Sequence, residues 1–468
     1  MMAIKEEEIE AIVKKVLSNL NHEIKVSKCE DVGIFQDMNE AIRAAKDAQK
    51  KLRNLSMESR EKIIQNIRKK IMENKKILAE MGVSETGMGK VEHKIIKHEL
   101  VALKTPGTED IVTTAWSGDK GLTLVEMGPF GVIGAITPST NPSETVLCNS
   151  IGMIAAGNSV VFNPHPGAVN VSNYAVKLVN EAVMEAGGPE NLAVSVEKPT
   201  LETGNVMFKS ADVSLLVATG GPGVVTSVLS SGKRAIGAGA GNPPVVVDET
   251  ADIKKAAKDI VDGATFDNNL PCIAEKEVVS VDKITDELIY YMQKNGCYKI
   301  EGREIEKLIE LVLDHKGGKT TLNRKWVGKD AHLILKAVGI DADESIRCII
   351  FEAEKDNPLV VEELMMPILG IVRAKNVDEA IMIATELEHG NRHSAHMHSK
   401  NVDNLTKFGK IIDTAIFVKN APSYAALGYG GEGYCTFTIA SRTGEGLTSA
   451  RTFTKSRRCV LADGLSIR

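Results

Sequence analysis

The 468-residue sequence has few aromatic residues, no long apolar run and no excess of charge of one sign. Aromatic residues make up 4% of the chain, and the formal net charge is −5. A mildly acidic chain offers no positive surface to the phosphate backbone of a nucleic acid. No apolar run approaches the roughly 20 residues that a bilayer-spanning helix needs. Binding to nucleic acid and insertion into a membrane are therefore not expected.

Cysteine is scarce, and the seven cysteines are odd in number, widely separated and without a C-x-x-C pair. This pattern argues against a disulfide framework and against a zinc knuckle, and it favours a reducing compartment. Charged residues 5–8 (KEEE) occupy the place where a signal peptide would have its apolar segment. A cytoplasmic location is therefore the expectation.

Glycine and small apolar residues are abundant, with 40 glycines and 43% hydrophobic residues. Short Val- and Ile-rich strands are predicted at 132–136, 159–162, 192–196 and 213–218, with helical patterns between them. Such alternation indicates βαβ units, a parallel sheet and a ligand cleft at the carboxyl ends of the strands. A second α/β series begins after Pro243 and extends to about residue 433. The sequence thus predicts an α/β fold with two lobes.

The first twenty residues predict an amphipathic helix, because six apolar residues recur at helical spacing. They are Ile9, Ile12, Val13, Val16, Leu17 and Leu20. An isolated helix of this length is marginal in water, so its apolar stripe needs a partner surface. That surface is either the globular body of the same chain or another protein, and composition does not choose between them. Residues 21–33 read as a polar linker.

Two further segments stand outside the regular alternation. Residues 105–127 contain Pro106 and Gly107 and end in alternating apolar residues, which predicts a strand or an arm. The tail at 434–468 has a strand-like stretch at 436–439. Such a tail either pairs with another subunit or folds onto its own chain.

Cys272 differs from the other cysteines in what precedes it, which is Pro271 and a polar Asp-Asn-Asn turn at 267–269. A cysteine acts as a nucleophile only as the thiolate, which needs partial exposure and neighbouring donors or positive potential. This segment can supply both. The alternative is a small buried apolar residue, which is the commoner situation for a lone cysteine.

Four histidines lie close together in the sequence, at positions 389, 393, 396 and 398. Their spacing is partly helical and partly strand-like, whereas a compact metal site needs its ligands on one face. We therefore expect a surface strand and turn in this segment, and no metal site.

Seven segments carry the most specific information in the chain. They are VIGAITPSTNPSET (132–145), VVFNPHPGA (160–168), ATGGPGVV (218–225), GAGAGNPPVVVD (237–248), FDNNLPCIAEKE (266–277), EELMMPILG (362–370) and TGEGLTSARTFT (443–454). Together they resemble the aldehyde dehydrogenase superfamily and, within it, the CoA-acylating branch that makes acyl-CoA from short aldehydes. The resemblance covers about residues 34–468. Any one Gly-rich loop would be weak evidence, but the set is specific.

The resemblance implies an aldehyde dehydrogenase-like α/β fold. Residues 34–244 would form a Rossmann-type, parallel-sheet dinucleotide-binding domain with an arm at about 108–127. Residues 245–433 would form an α/β catalytic domain, and residues 434–468 an oligomerisation tail. The protein is thus expected to be a homo-oligomer.

By the same resemblance, Cys272 is the nucleophile that attacks the aldehyde carbonyl, and Asn141 donates to the resulting oxyanion. Hydrolytic members carry a glutamate that activates water, and the matching position here is Gly237. Since a positioned general base is worth about 10²- to 10⁴-fold in rate, its absence favours transfer of the acyl group to coenzyme A. An alternative for Gly237 is that glycine only permits close backbone packing.

The resemblance also implies a cofactor site. Its expected members are Thr137, Pro138, His165, Gly220, Gly223 and Glu363, the last on the nicotinamide ribose. The Lys and Glu that usually follow the second strand are replaced by Asn163 and Pro166. NAD is the expected dinucleotide, with NADP as the alternative.

The expected reaction is oxidation of acetaldehyde or propionaldehyde to acyl-CoA with reduction of NAD⁺, through a thiohemiacetal and a thioester on Cys272. Two alternatives are a hydrolytic aldehyde dehydrogenase that releases the free acid, and an inactive scaffold that binds shell proteins. Residues 1–20 resemble the peptides that direct enzymes into bacterial microcompartments. The expected partner of this helix is a microcompartment shell protein.

Overall fold

The computed structural model describes residues 32–316 and 319–467, and the chain divides into two units, Met1–Val32 and Gly33–Arg468. The helix predicted at 1–20 and most of the linker predicted at 21–33 lie outside the described residues, as does Cys29. The described residues of the second unit form two large parallel sheets and three small antiparallel ones.

The strands of the described residues are, in chain order, β1 (Ile34–Phe35), β2 (Thr114–Gly118), β3 (Gly121–Pro129), β4 (Val132–Thr137), β5 (Ser159–Pro164), β6 (Ala193–Val196), β7 (Val213–Thr219), β8 (Ala235–Ala238), β9 (Pro244–Val247), β10 (Glu277–Val281), β11 (Cys297–Lys299), β12 (Leu313–Lys316), β13 (Lys319–Leu322), β14 (Cys348–Glu352), β15 (Ile368–Ala374), β16 (Ser394–His398), β17 (Ile416–Lys419), β18 (Ile439–Ala440), β19 (Gly446–Leu447) and β20 (Thr454–Ala462).

The α-helices of the described residues are α1 (Met38–Arg53), α2 (Met57–Thr86), α3 (Val91–Lys104), α4 (Pro142–Ala155), α5 (Val169–Glu185), α6 (Leu201–Lys209), α7 (Pro222–Leu229), α8 (Ile253–Thr265), α9 (Asp282–Lys294), α10 (Arg303–Val312), α11 (Ala331–Ala337), α12 (Pro358–Val361), α13 (Val377–Leu387) and α14 (Val402–Ile412). Short 3₁₀ turns connect several of these elements, including one at Phe266–Asn269.

The first large sheet has the strand order β1-β6-β5-β4-β7-β8, and its strand pairs are all parallel. The chain moves outward from β4 to β5 and β6, then crosses to the other side of β4 for β7 and β8. The carboxyl ends of β4 and β7 therefore flank a topological switch point, where open α/β sheets bind ligands. This confirms the predicted strand–helix alternation and the Rossmann-type sheet.

The second large sheet has the order β11-β14-β15-β10-β9-β16-β17, and it is also fully parallel. Such sheets are normally covered on both faces. His396 and His398 lie on β16 between β9 and β17, with 0% and 2% of their surface exposed. The prediction of a surface strand was therefore wrong. Burial lowers the pKa of each imidazole to about 3, so both are neutral.

The arm and the tail form one antiparallel sheet. β2 and β3 make a hairpin, and β20 pairs with β3 along Thr454–Ala462 of the same chain. The tail thus folds onto its own chain at this point, one of the two expected alternatives. Of the strand predicted at 436–439, only Ile439 lies in a strand, the two-residue β18. The residues of β20 beyond Thr454 are exposed, and so is Trp116 on β2, at 55%.

Gly237, which the resemblance aligns with the carboxylate of hydrolytic enzymes, lies on β8 and packs against α7. A Cβ atom added to Gly237 would sit 2.9 Å from Cγ1 of Val225 on that helix. Val225 is itself only 2% exposed and is β-branched, so it has little freedom to move aside. Close packing is therefore a structural reason for this glycine, and it accompanies the absence of a carboxylate at the position.

We predict that Gly237→Ala lowers the free energy of unfolding by about 1–3 kcal/mol, because the added methyl group overpacks β8 against Val225. Thermal and urea denaturation measure this loss. Gly239→Ala is the matched control, since its added Cβ would lie 3.5 Å from Arg442, an ordinary contact. Equal stability of the two variants would contradict the packing argument.

Candidate active site

The turn before Cys272 has an unusual backbone, with three consecutive residues in the left-handed region. Asp267, Asn268 and Asn269 have φ angles of 49°, 54° and 66°. Asp and Asn are the non-glycine residues that best tolerate this region, since their short side chains bond locally. This explains why the sequence reads Asp-Asn-Asn at the turn.

Side-chain hydrogen bonds hold this turn from two sides. The amide of Asn269 donates to the carbonyl oxygens of Ala264 and Glu275, at 2.9 and 2.8 Å. The amide of Asn268 donates to the carbonyl oxygen of Gly328 at 3.0 Å and to Oδ1 of Asp330 at 2.9 Å. The loop carrying the cysteine is therefore tied both to the end of α8 and to the segment before α11.

Cys272 is partly exposed, whereas four of the other five described cysteines are buried and Cys459 is exposed on the arm strand β20. Burial and, to a smaller extent, the charge of Glu363 raise the pKa of the Cys272 thiol to about 12, against the opposing charge of Lys276. The resting thiol is therefore protonated at neutral pH. Among the described residues, no hydrogen bond joins a carboxylate to this thiol.

Asn141 lies beside the Cys272 loop. It is the residue immediately before α4, 6% exposed, and its Oδ1 accepts a hydrogen bond of 2.7 Å from Nζ of Lys97. Its Nδ2 makes only long contacts, 3.3 Å to Oγ1 of Thr140 and 3.5 Å to the carbonyl oxygen of Leu270. The two predicted catalytic residues thus lie in the same region, because Asn141 contacts the backbone of Leu270, two positions before Cys272.

A buried ion cluster supports this region, and the sequence analysis missed it. Lys94 and Lys97 on α3 pair with Asp267, and Lys97 also pairs with Glu144 on α4. The side chains of all four are at most 2% exposed. The available signal was the i, i+3 spacing of two lysines on a helix face that also carries Val101.

The two lysines keep the two carboxylates of this cluster ionised. Burial raises the pKa of Asp267, but the charges of Lys94 and Lys97 outweigh it, so the pKa is lowered. Burial also raises the pKa of Glu144, but the charges of Lys97 and Lys94 outweigh this effect, so the pKa of Glu144 is lowered as well. Both carboxylates are therefore ionised at neutral pH, as their lysine contacts require.

A second group of buried ionisable residues follows Cys272 directly. Lys276 is 3% exposed and donates to the carbonyl oxygen of Asn269 at 3.0 Å. Burial raises the pKa of Glu363, against the opposing charge of Lys276 and the N–H of Gly241. Glu277 is fully buried with neither carboxylate oxygen paired, and burial raises its pKa well above the usual range. Glu363 thus lies in the electrostatic neighbourhood of the cysteine.

Five of the six residues predicted to bind the cofactor lie at one edge of the first sheet. Thr137 and Pro138 end β4, His165 follows β5, and Gly220 and Gly223 follow β7. The strands β5, β4 and β7 are adjacent, so these loops share the carboxyl edge at the switch point. Glu363, the sixth, belongs to the other sheet's connections, between α12 and β15.

The same edge has features that suit a dinucleotide. A Cβ added at Gly220 or Gly223 would meet no atom within 4 Å, so the backbone there borders open space. Helix α7 begins at Pro222 immediately after this turn, and the first amides of a helix attract phosphate. Oγ1 of Thr137 is buried without a partner among the described atoms. Donors, space and a helix N-terminus therefore converge at one place.

The described part of the chain contains neither a candidate metal site nor a candidate membrane-spanning helix. No group of three or more His, Cys, Asp or Glu side chains there could hold a metal ion. No helix in these ranges is both long and apolar enough to span a bilayer. His389 is exposed, whereas His393 is 1% exposed, so the four histidines do not share one surface.

Comparison with known proteins gives a consistent relationship. The family model of the aldehyde dehydrogenase family matches residues 25–449. The acetaldehyde dehydrogenase (acetylating) EutE of Salmonella typhimurium is 47% identical over 466 residues, which is 99% of each chain.

Solved structures agree with the sequence comparison. The propionaldehyde dehydrogenase of the Clostridium phytofermentans fucose utilisation bacterial microcompartment is 68% identical, with a TM-score of 0.92 over 93% of this chain and 100% of that one. The propionaldehyde dehydrogenase of Rhodopseudomonas palustris, solved with bound CoA and an acylated cysteine, is 56% identical, with a TM-score of 0.91 over 93% and 99%. The chain therefore belongs to the aldehyde dehydrogenase family, among its CoA-acylating members.

Proposed function

We propose that this protein oxidises a short aliphatic aldehyde, propionaldehyde or acetaldehyde, to its acyl-CoA, with reduction of NAD⁺ to NADH. The observation that carries the proposal is the position of Cys272, partly exposed on a fixed loop with Asn141 beside it and no carboxylate at Gly237. The balanced reaction is aldehyde + CoA + NAD⁺ giving acyl-CoA + NADH + H⁺.

Cys272 forms and breaks the covalent bond to the substrate. Its thiolate attacks the aldehyde carbonyl and gives a thiohemiacetal; NAD⁺, held by the carboxyl edge of the first sheet, would accept the C–H hydride as the oxyanion collapses to a thioester. The CoA thiolate then attacks this thioester, and the Cys272 thiolate is the leaving group. Since burial and the charge of Glu363 raise the pKa of the resting thiol to about 12, the thiol must release its proton before it attacks.

Asn141 is the proposed donor to the oxyanion, together with the backbone N–H of Cys272. The long contacts of its Nδ2 support this assignment, because they leave the amide able to form a shorter bond to a substrate oxygen. Loss of one such donor typically lowers kcat by about 10²- to 10³-fold.

The dinucleotide is proposed to bind at the carboxyl edge formed by Thr137, Pro138, His165, Gly220 and Gly223. When bound there it supplies the hydride acceptor. Glu363, which lies electrostatically close to Cys272, would hold the nicotinamide ribose next to the thiohemiacetal carbon. NAD is the proposed dinucleotide.

Coenzyme A rather than water is proposed as the acyl acceptor. Water needs a base to attack a thioester at a useful rate, and Gly237 provides no carboxylate. The packing of Gly237 against Val225 leaves no room for a larger side chain at that position in this structure. Coenzyme A brings its own thiol, which is a strong nucleophile once ionised.

We also propose that the protein forms a homo-oligomer through its exposed arm sheet and acts inside a bacterial microcompartment, with residues 1–20 contacting a shell protein. The sheet of β2, β3 and β20 exposes Trp116, Val460 and Leu461, at 55%, 62% and 47%. Such apolar exposure on one sheet supports an interface between subunits. The microcompartment source of the Clostridium relative supports the location.

The function is tested by mixing the protein with propionaldehyde and NAD⁺, with and without CoA, and following NADH absorbance. We expect multiple turnover only when CoA is present. Sustained NADH formation without CoA, accompanied by propionate, would show a hydrolytic enzyme. No NADH under either condition would support an inactive scaffold. Cys272→Ser, which keeps the shape of the side chain, serves as the inactive control.

Deletion of residues 1–20 tests the targeting proposal. We expect unchanged kcat and KM in solution, because the proposed site residues all lie after residue 130. We expect loss of co-sedimentation with purified microcompartment shells. Full-length protein is the positive control, and a variant with Leu17 and Leu20 changed to Lys tests the apolar stripe without shortening the chain. A deletion variant without turnover would place the segment in the catalytic body instead.

A further inference from the structure

The amide of Asn141 has two ends of similar size, and only one of them can donate to an oxyanion. In the structure Oδ1 faces Lys97 and Nδ2 faces the side of the Cys272 loop. A lysine ammonium donates hydrogen bonds and cannot accept them. The contact with Lys97 is therefore possible in only one orientation of the Asn141 amide.

Three oxygen atoms surround Nζ of Lys97: the side-chain oxygen of Asn141 accepts a hydrogen bond from it, and two carboxylate oxygens form ion pairs with it. Its Nζ lies 2.7 Å from Asn141 Oδ1, 2.7 Å from Glu144 Oε1 and 2.6 Å from Asp267 Oδ2. The Lys97 side chain is 0% exposed. Burial lowers its pKa, but the charges of Asp267 and Glu144 outweigh this effect and raise it. The ammonium is therefore charged, and two carboxylates compensate its charge.

These three contacts join separate parts of the chain. Asn141 and Glu144 belong to the connection from β4 into α4, whereas Asp267 begins the positive-φ turn before Cys272. One ammonium on α3 thus links the loop of the nucleophile to the amide of the oxyanion donor. Because a buried charge without a partner is costly, these ion pairs favour a fixed distance between the two parts of the chain.

We propose that Lys97 is a positioning residue for the reaction, which fixes the Asn141 amide with Nδ2 directed at the developing oxyanion. The inference rests on the proposed function and names a residue on which its rate depends. Lys97 touches neither aldehyde nor cofactor in this scheme and acts only through Asn141.

Lys94 provides a matched comparison on the same helix. It is 2% exposed, and its Nζ pairs with the same atom of Asp267 at 3.0 Å. Its other contact is the backbone oxygen of Thr140, at 3.4 Å, and among the described residues it has no hydrogen bond to the Asn141 side chain. The two lysines thus share burial, helix and counter-ion but differ in their contact with the amide.

The experiment compares two charge-balanced pairs, Lys97→Met with Glu144→Gln and Lys94→Met with Glu144→Gln. Each pair removes one buried cation and one buried anion, so neither leaves an unpaired charge by count. We expect the Lys97 pair to lower kcat by about 10- to 100-fold at unchanged KM for propionaldehyde and CoA, as misplacement of a catalytic group does. The Lys94 pair should stay within about threefold of Glu144→Gln alone.

The decisive measurement repeats both pairs in an Asn141→Ala background. If Lys97 acts through the amide, the Lys97 pair should then differ from the Lys94 pair by less than about twofold. A further 10-fold loss in that background would overturn the proposal. So would equal losses in the two pairs, or an Asn141→Ala variant with wild-type kcat.

Two controls keep the outcomes separate. If the wild-type protein shows no CoA-dependent NADH formation, the proposed function is contradicted. If the wild type is active but the kcat losses of the Lys97 pair and of Asn141→Ala are additive, only the positioning role of Lys97 is contradicted. If the Lys97 pair lacks a cooperative thermal transition, it is not folded and a milder variant is needed. Lys97→Arg retains the charge but displaces the N–H donors, and its kcat can be compared with and without Asn141→Ala in the same way. It should lower kcat with Asn141 present and leave it unchanged with Asn141→Ala.

Discussion

The buried contacts of Lys97 with Asp267, Glu144 and Asn141 are the interaction on which the geometry of the site depends, and Lys94 adds a second cation beside Asp267. An ionised group without a partner is costly inside a protein, so each of these residues constrains the position of the others. Asp267 is at once a member of this cluster and the first residue of the strained turn before Cys272. Its carboxylate also accepts the backbone N–H of Lys90, at 2.8 Å. The nucleophile's loop is therefore anchored to α3 by charge.

The two sheets contribute different parts of the proposed chemistry. The carboxyl edge of the first sheet provides space, backbone amides and a helix N-terminus for a dinucleotide, whereas Cys272 lies just before β10 of the second sheet. Asn141 stands at the start of α4, on the first sheet's side, and Lys97 binds it to the Cys272 loop. The reacting groups are thus assembled from both sheets, and buried charge fixes their relative position.

Much of the fold follows from local pattern. Strand–helix alternation after residue 131 identifies the parallel sheet, because apolar strands separated by helices have few other ways to pack. The proposals for Cys272, Asn141 and the cofactor loops come from the motifs around them, and the structure shows where these residues lie. The burial of β16 could not be predicted, because His396 and His398 are polar residues in the sequence. Their burial in the neutral form becomes evident only once the neighbouring strands β9 and β17 are known.

The ion cluster shows a different limit of sequence reasoning. Asp267 and Lys97 are 170 positions apart, and nothing local to either residue signals that they meet. Two lysines on an amphipathic helix are ordinarily assigned to its solvent face. Their burial is a property of the tertiary structure, in which a glutamate on α4 and an aspartate before the cysteine supply the compensating charge.

In the proposed reaction the thioester on Cys272 is stable toward water and is cleaved by the thiol of CoA. Protein incubated with propionaldehyde and NAD⁺ in the absence of CoA, then digested and examined by peptide mass spectrometry, tests this directly. We expect one propionyl group on the Cys272 peptide for each NADH formed. This group should persist in buffer and be released as propionyl-CoA when CoA is added. NADH formation with an unmodified Cys272 peptide, or acylation at another cysteine, would contradict it.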